Sequence, residues 1–172
     1  MRRNFSTLDI VFSNREERTL KDTINTTINP IEYKYTADGF RDIGTRAAMI
    51  ADGYLFLRYY VGPCAVNLSF SCELYMKAMI NDVNLHEHSL KKLFNKLDDN
   101  RQRDVRIEYD KIPCNLEFME CFETHDNAFI KWRYLGEYRD KETKSIDRKS
   151  LVNLARALSI VCEREIQNGK DK

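Results

Sequence analysis

The sequence predicts an all-α fold, an up-and-down bundle of four or five helices with a small N-terminal extension that could hold short strands. Two observations carry this. From residue 40 almost to the end, apolar residues recur at three- and four-residue steps, which gathers them on one face of a helix turning about 100° per residue. The connections between these segments are short and polar, as they are between antiparallel neighbours, and no internal repeat interrupts them. The chain of 172 residues, 42% hydrophobic and 32% charged, has the size of one domain and enough apolar surface to offset the entropy of ordering it.

The extension comprises residues 1–38. Residues 8–12 are a short apolar run, Ser13 and Glu16 have the spacing of a capping box, and residues 31–36 alternate apolar with polar, a strand-like pattern. Asn29-Pro30 marks a break within the extension and Asp38-Gly39 its border with the bundle, residues 39–168. In the first bundle helix Ile43, Ala47, Ile50, Tyr54 and Leu57 form the core stripe, which ends near Gly62-Pro63. The second carries Ala65, Leu68, Cys72, Tyr75, Met76, Met79 and Val83 on one face.

A third, shorter helix follows a polar turn, with Leu90, Leu93, Phe94 and Leu97 as its stripe and a charged continuation over residues 98–110 that could bend or fray. Either His88 or Ser89 is expected to cap it, because first-turn amides need acceptors. Pro113 can open a fourth helix, in which Phe118, Phe122, His125, Phe129 and Trp132 share a face. After a charged connector, Asp147 caps a fifth, striped by Leu151, Leu154, Ala155, Leu158, Val161 and Cys162, and residues 169–172 form a loose tail.

Composition limits the function classes. The net charge of +1 gives no overall field toward a polyanion, so any RNA-binding surface has to be a local patch. The basic runs around Lys91, Arg101 and Lys141 are interleaved with acids, as on an ordinary solvated helix face. Five widely spaced cysteines without a CxxC pair read as buried free thiols, and neither a metal nor another cofactor is expected. With no signal-peptide pattern and no run of about 18 apolar residues, a cytoplasmic protein without a membrane span is expected.

Few residues combine into chemistry. Glu73 and Lys77 form an i,i+4 pair at the edge of the second stripe, a helix salt bridge that could also line a groove. His125 falls on the apolar face of the fourth helix, where a hydrogen-bonded core histidine is the ordinary reading, and on a continuous helix Arg133 would follow it by about 12 Å. Trp132, Tyr134 and Tyr138 beside Arg133 could stack on bases, or simply pack at the edge of the core.

The segment Asn67-Leu68-Ser69-Phe70-Ser71-Cys72-Glu73-Leu74-Tyr75-Met76-Lys77-Ala78, followed by His88-Ser89-Leu90-Lys91-Lys92-Leu93-Phe94, resembles the second and third helices of the HEPN (higher eukaryotes and prokaryotes nucleotide-binding) domain family. There a helix with Glu-x-x-x-Lys precedes a His-x-Leu-x-x-Leu helix, and Ala128-Phe129-Ile130-Lys131-Trp132-Arg133-Tyr134 is similar to a late-helix pattern of some members. The resemblance covers about residues 40–165. It implies a helical bundle, commonly a homodimer, serving prokaryotic toxin–antitoxin and antiviral defence systems, in which active members cut RNA without a metal.

Their nuclease motif, an arginine followed by four to six residues and a histidine, is not intact here. After Arg133 the nearest equivalent position holds Tyr138, and an unperturbed tyrosine, with a pKa of about 10, is a poor base at neutral pH. The resemblance therefore implies a non-catalytic or atypical domain that binds RNA, a nucleotide or a protein partner such as an antitoxin, with Lys77, Trp132, Arg133 and Tyr134 as contact residues. The alternatives are a metal-free endoribonuclease, which would have to draw on Arg133, His125, His88, Glu73, Lys77 or Tyr138, and a purely structural or regulatory interaction module.

Overall fold

A computed structural model describes residues 29–53, 58–82, 84–133 and 146–170. Among them the chain is an all-α bundle with no strand. Its helices are α1 (Pro30–Gly53), α2 (Arg58–Ile80), α3 (Leu90–Asn95), α4 (Asp99–Asp110), α5 (Phe118–His125), α6 (Ala128–Arg133) and α7 (Arg148–Lys170). The three long helices α1, α2 and α7 pack on one another, α4 lies against α7, and α6 lies against α2. No helix among the described residues is long and apolar enough to cross a membrane.

The stripes expected on the second, third and fifth helices face the core. Leu68, Cys72, Tyr75 and Met76 of α2, Leu90 and Leu93 of α3, and Leu151, Leu154 and Leu158 of α7 are all buried. Ser89 caps α3, its side chain accepting from the Lys92 amide. Asp147 caps α7, with Oδ1 accepting from the Ser150 amide at 2.7 Å. Asn81 ends α2 at φ 54°, a left-handed conformation that asparagine tolerates, and its amide donates to the Lys77 carbonyl.

Other expectations are corrected. Residues 31–36 are not a strand: they are the first turns of α1, which starts at Pro30, where a missing amide hydrogen costs nothing, and runs unbroken through Asp38-Gly39. The core face of α1 is not the Ile43/Ile50 stripe. Ile43 and Ile50 are exposed, and Ala37, Gly44, Ala47, Ala48 and Ala51 face inward. Small residues are needed there because α1 and α2 approach closely: a Cβ added to Gly44 would lie 2.7 Å from Cγ of Leu68.

Gly62-Pro63 ends no helix, since Pro63 lies inside α2. The charged continuation after α3 is a separate helix, α4, restarted by Asp98, which caps the Arg101 amide. Pro113 sits in the connector before α5, whose first residue is Phe118, and the fourth helix is divided at Asp126-Asn127 into α5 and α6. α7 continues to Lys170, past the start of the expected tail. Residues 8–12, the Ser13/Glu16 pair, Tyr54, Leu57 and Val83 lie outside the described residues.

Candidate functional site

A polar line runs along one side of α2. Ser69, Glu73 and Lys77 follow one another at i,i+4 spacing, which places them within about 80° of each other on the helix surface. The sequence suggested an exposed or half-buried pair at this edge. Instead the Glu73 side chain is only 2% exposed and that of Lys77 11%, with Ser69 wholly buried. Two elements distant in sequence pack on this part of α2: α6, with the Phe129 ring stacked on Phe70 at 4.8 Å, and the turn before α3, which brings His88 to Glu73.

Glu73 Oε1 accepts from Lys77 Nζ at 2.7 Å and faces His88 Nδ1 at 3.0 Å. Glu73 Oε2 and the Ser69 hydroxyl, both buried, have no hydrogen-bond partner among the described residues. A buried polar atom without a partner forfeits about 1–3 kcal/mol of desolvation, so two of them one turn apart mark a place where a donor or acceptor is wanted. His88 itself is half exposed and stands between this line and solvent. When Nδ1–H donates to Glu73, the ring is held in one orientation and Nε2 is left as an acceptor on the other side.

The turn that carries His88 is tightly fixed. Glu87 Oε1 accepts from the amides of His88 and Ser89, and these bonds, that from Ser89 foremost, hold its carboxyl below the usual carboxylate range. Asp126 Oδ1 accepts from the Ser89 hydroxyl and the Lys91 amide, which locks the start of α3 to the junction of α5 and α6. His88 is thus supported by backbone contacts on both sides, although it makes no cap itself.

The remaining sequence-selected residues do not join this cluster. His125 is fully buried at the end of α5, where Nδ1 donates to the Cys121 carbonyl at 2.8 Å and Nε2 has no partner among the described residues. Burial depresses its pKa, so it is a neutral core imidazole. The helix break at Asp126-Asn127 removes the continuous-helix relation to Arg133 that the sequence suggested.

Arg133 ends α6, exposed, with its guanidinium 5.0 Å from the Phe129 ring centre, and Trp132 is half-buried beside it. Tyr134 and Tyr138 lie outside the described residues. His86 is exposed, and no group of three or more metal-ligating side chains occurs among the described residues. Four of the five free thiols are buried, and burial pushes those of Cys121 and Cys162 up to about 12, too high for a nucleophile at neutral pH.

Ser69 was not singled out by sequence, although its spacing to Glu73 was legible. What sequence could not supply is the burial that turns a common helix ion pair into a sealed cluster. No family model, curated protein or solved structure matches the chain.

Proposed function

We propose that the chain is a HEPN-like domain that binds a phosphate-bearing ligand, RNA or a nucleotide, at the Ser69–Glu73–Lys77 line and His88, without the arginine–histidine nuclease chemistry of that family. The observation that carries this reading is the buried Glu73 Oε2, which has no hydrogen-bond partner among the described residues, beside Lys77 and a half-exposed His88. Lys77 Nζ supplies a cationic donor for phosphate oxygens and the half-exposed His88 ring a polar contact on the solvent side, while the buried Glu73 carboxylate holds both in place rather than touching the ligand. Arg133 and Trp132 on α6 extend the surface with a cation and a ring for stacking. The setting that the resemblance implies is prokaryotic defence.

The test is binding of labelled short RNAs and of single nucleotides to the purified chain, beside His88→Ala, Arg133→Ala and Lys77→Ala, with folding followed by circular dichroism. The expected result is a fall in affinity of about 5- to 10-fold for His88→Ala, on the scale of one lost hydrogen bond. RNA retained while single nucleotides are not would identify the polymer as ligand. Absence of binding to either, or affinities indifferent to all three changes, would overturn the reading.

One observation favours a second reading, a metal-free endoribonuclease. A carboxylate that orients a half-exposed imidazole is an arrangement for general base catalysis, and Lys77 would stabilise the developing phosphorane charge. On this reading RNA is cleaved in the presence of chelator, His88→Ala abolishes cleavage, and a folded His125 variant retains it. Varied RNAs left intact would exclude it.

A further inference from the structure

At one end of the bundle α1 begins and α2 and α7 finish, and between them opens a pocket of about 310 Å³. Its depth is apolar: Ala78 and Met79 of α2 and Cys162 of α7 are buried there, with Ile31 of α1 and Ile166 of α7 beside them. Its wall is polar, formed by Arg101 of α4 against Glu165 of α7, and the exposed Gly169 lines its rim. The volume is at the small end of the range for ligand pockets, with room for a body of roughly ten non-hydrogen atoms.

The charges around this pocket are out of balance. Arg101 donates through Nε and Nη2 to Glu165 Oε2, at 3.1 and 2.8 Å, and through Nη1 to the Met79 carbonyl at 3.0 Å, and it also faces Asp98 at 3.3 Å. One guanidinium thus serves two carboxylates and a carbonyl. Both bonds to Glu165 fall on Oε2, so Oε1 takes no part in the pair. The ends of α2 and α7 add last-turn carbonyls, each helix carrying about half a negative charge there. The opposing start of α1 offers little to an anion: Pro30 has no N–H, and the Ile31 amide already donates to Asn29 Oδ1 at 3.1 Å.

We propose that this pocket binds a small organic ammonium ion, a compact apolar body that ends in a protonated amine. The body covers Met79, Cys162 and Ile166, and the ammonium lies toward Glu165 and the carbonyl ends of α2 and α7, where its N–H donors find acceptors. A carboxylate of the same shape would meet the excess of negative charge, and could gain a cation only by displacing Glu165 or the Met79 carbonyl from Arg101. A neutral alcohol would bury the same apolar surface and forgo the charge. Neither Glu73, Lys77 nor His88 lines this pocket, so it stands apart from the phosphate site proposed above.

Titration of the full chain with phenethylamine to about 20 mM, followed by amide proton–nitrogen correlation spectra, tests this, with phenethyl alcohol and hydrocinnamate as the neutral and anionic matches. The expected result is amine binding at about 1 mM, about 5-fold tighter than the alcohol and about 10-fold tighter than the carboxylate, with shifts at Ile31, Asn81 and Gly169. Gly169→Phe, at a position where an added Cβ meets nothing within 4 Å, obstructs the rim without disturbing the fold and should abolish binding of all three. Glu165→Gln should weaken the amine about 5-fold and leave the alcohol unchanged, which separates the charge from the cavity. The same spectra report that each variant is folded. No shift at these residues with any of the three, an amine no tighter than its two matches, or binding indifferent to Gly169→Phe would overturn the proposal.

Discussion

At the scale of single residues, the Glu73–Lys77 pair is informative because both charges are buried. Removing one partner of such a pair leaves the other without compensation, at a cost of about 3–5 kcal/mol, whereas replacing both by apolar side chains of similar volume is often neutral. Lys77→Met alone should therefore destabilise the chain by about 3 kcal/mol in denaturant titration, and Glu73→Leu with Lys77→Met should recover most of that loss. A double variant no more stable than the single ones would mean that the pair is not isolated from solvent. His125 gives a second prediction through its depressed pKa. In the unfolded chain it takes a proton as pH falls through its ordinary value of 6.5, and in the folded chain it does not. Protons then favour the unfolded state, so stability is lost as pH falls from about 7 toward 5, above the range in which carboxylates titrate. Melting temperatures of the chain and of His125→Asn over that window should show a shallower acid decline in the variant.

At the scale of elements, two glycines of α1 make opposite predictions. Alanine is preferred to glycine inside a helix by about 1 kcal/mol. Gly39→Ala has open space and should stabilise by about that amount in thermal melts. Gly44→Ala places Cβ 2.7 Å from Cγ of Leu68 and 3.0 Å from its backbone nitrogen, so α1 and α2 must separate, at a net cost of about 1–3 kcal/mol. Equal effects of the two changes in thermal melts would refute the close α1–α2 approach. The same interface explains why α1 was misread from sequence. Hydropathy periodicity weights Ile43 and Ile50 above alanine and glycine, yet a close helix crossing selects the small residues, so the loud stripe lay outside and the quiet one inside. The stripes of α2, α3 and α7 were legible because leucine and aromatic side chains fill those contacts. The break at Asp126-Asn127 was not, since Asp126 caps the start of α3 through bonds that only the folded chain supplies, whereas the restart at Asp98 is a local cap on the Arg101 amide hidden among other charged residues. The candidate site was half legible for a related reason: spacing gave Glu73 and Lys77, but their burial and the His88 contact come from the fold around α2.

At the scale of the whole molecule, α7 is the element that ties the two halves together. It packs on α1 and α2 from one side and on α4 from the other, and its polar side chains hold the 111–117 connector that local sequence leaves without regular structure. Asn153 Nδ2 donates to the Tyr109 carbonyl at 2.8 Å and reaches the Ile112 carbonyl at 3.4 Å. The Ser150 hydroxyl accepts from the Leu116 amide, and Asn115 donates to Asp147. Arg156 and Arg164 converge with Lys111 on the buried Glu108, which fastens α4 to α7 a second time. Because Asn153 is buried, Asn153→Leu removes the buried donor to the Tyr109 carbonyl along with its bond to the Ile112 carbonyl, at about 2–3 kcal/mol. For a chain of this length that lowers the melting temperature by roughly 5–10 °C. If α7 joins α1–α2 and α3–α6 into one cooperative unit, the variant unfolds in a single transition, with far- and near-ultraviolet circular dichroism changing together. Two separated transitions would instead show that α3–α6 can detach while the long helices stay folded, and would make the His88–Glu73 contact depend on that detachment.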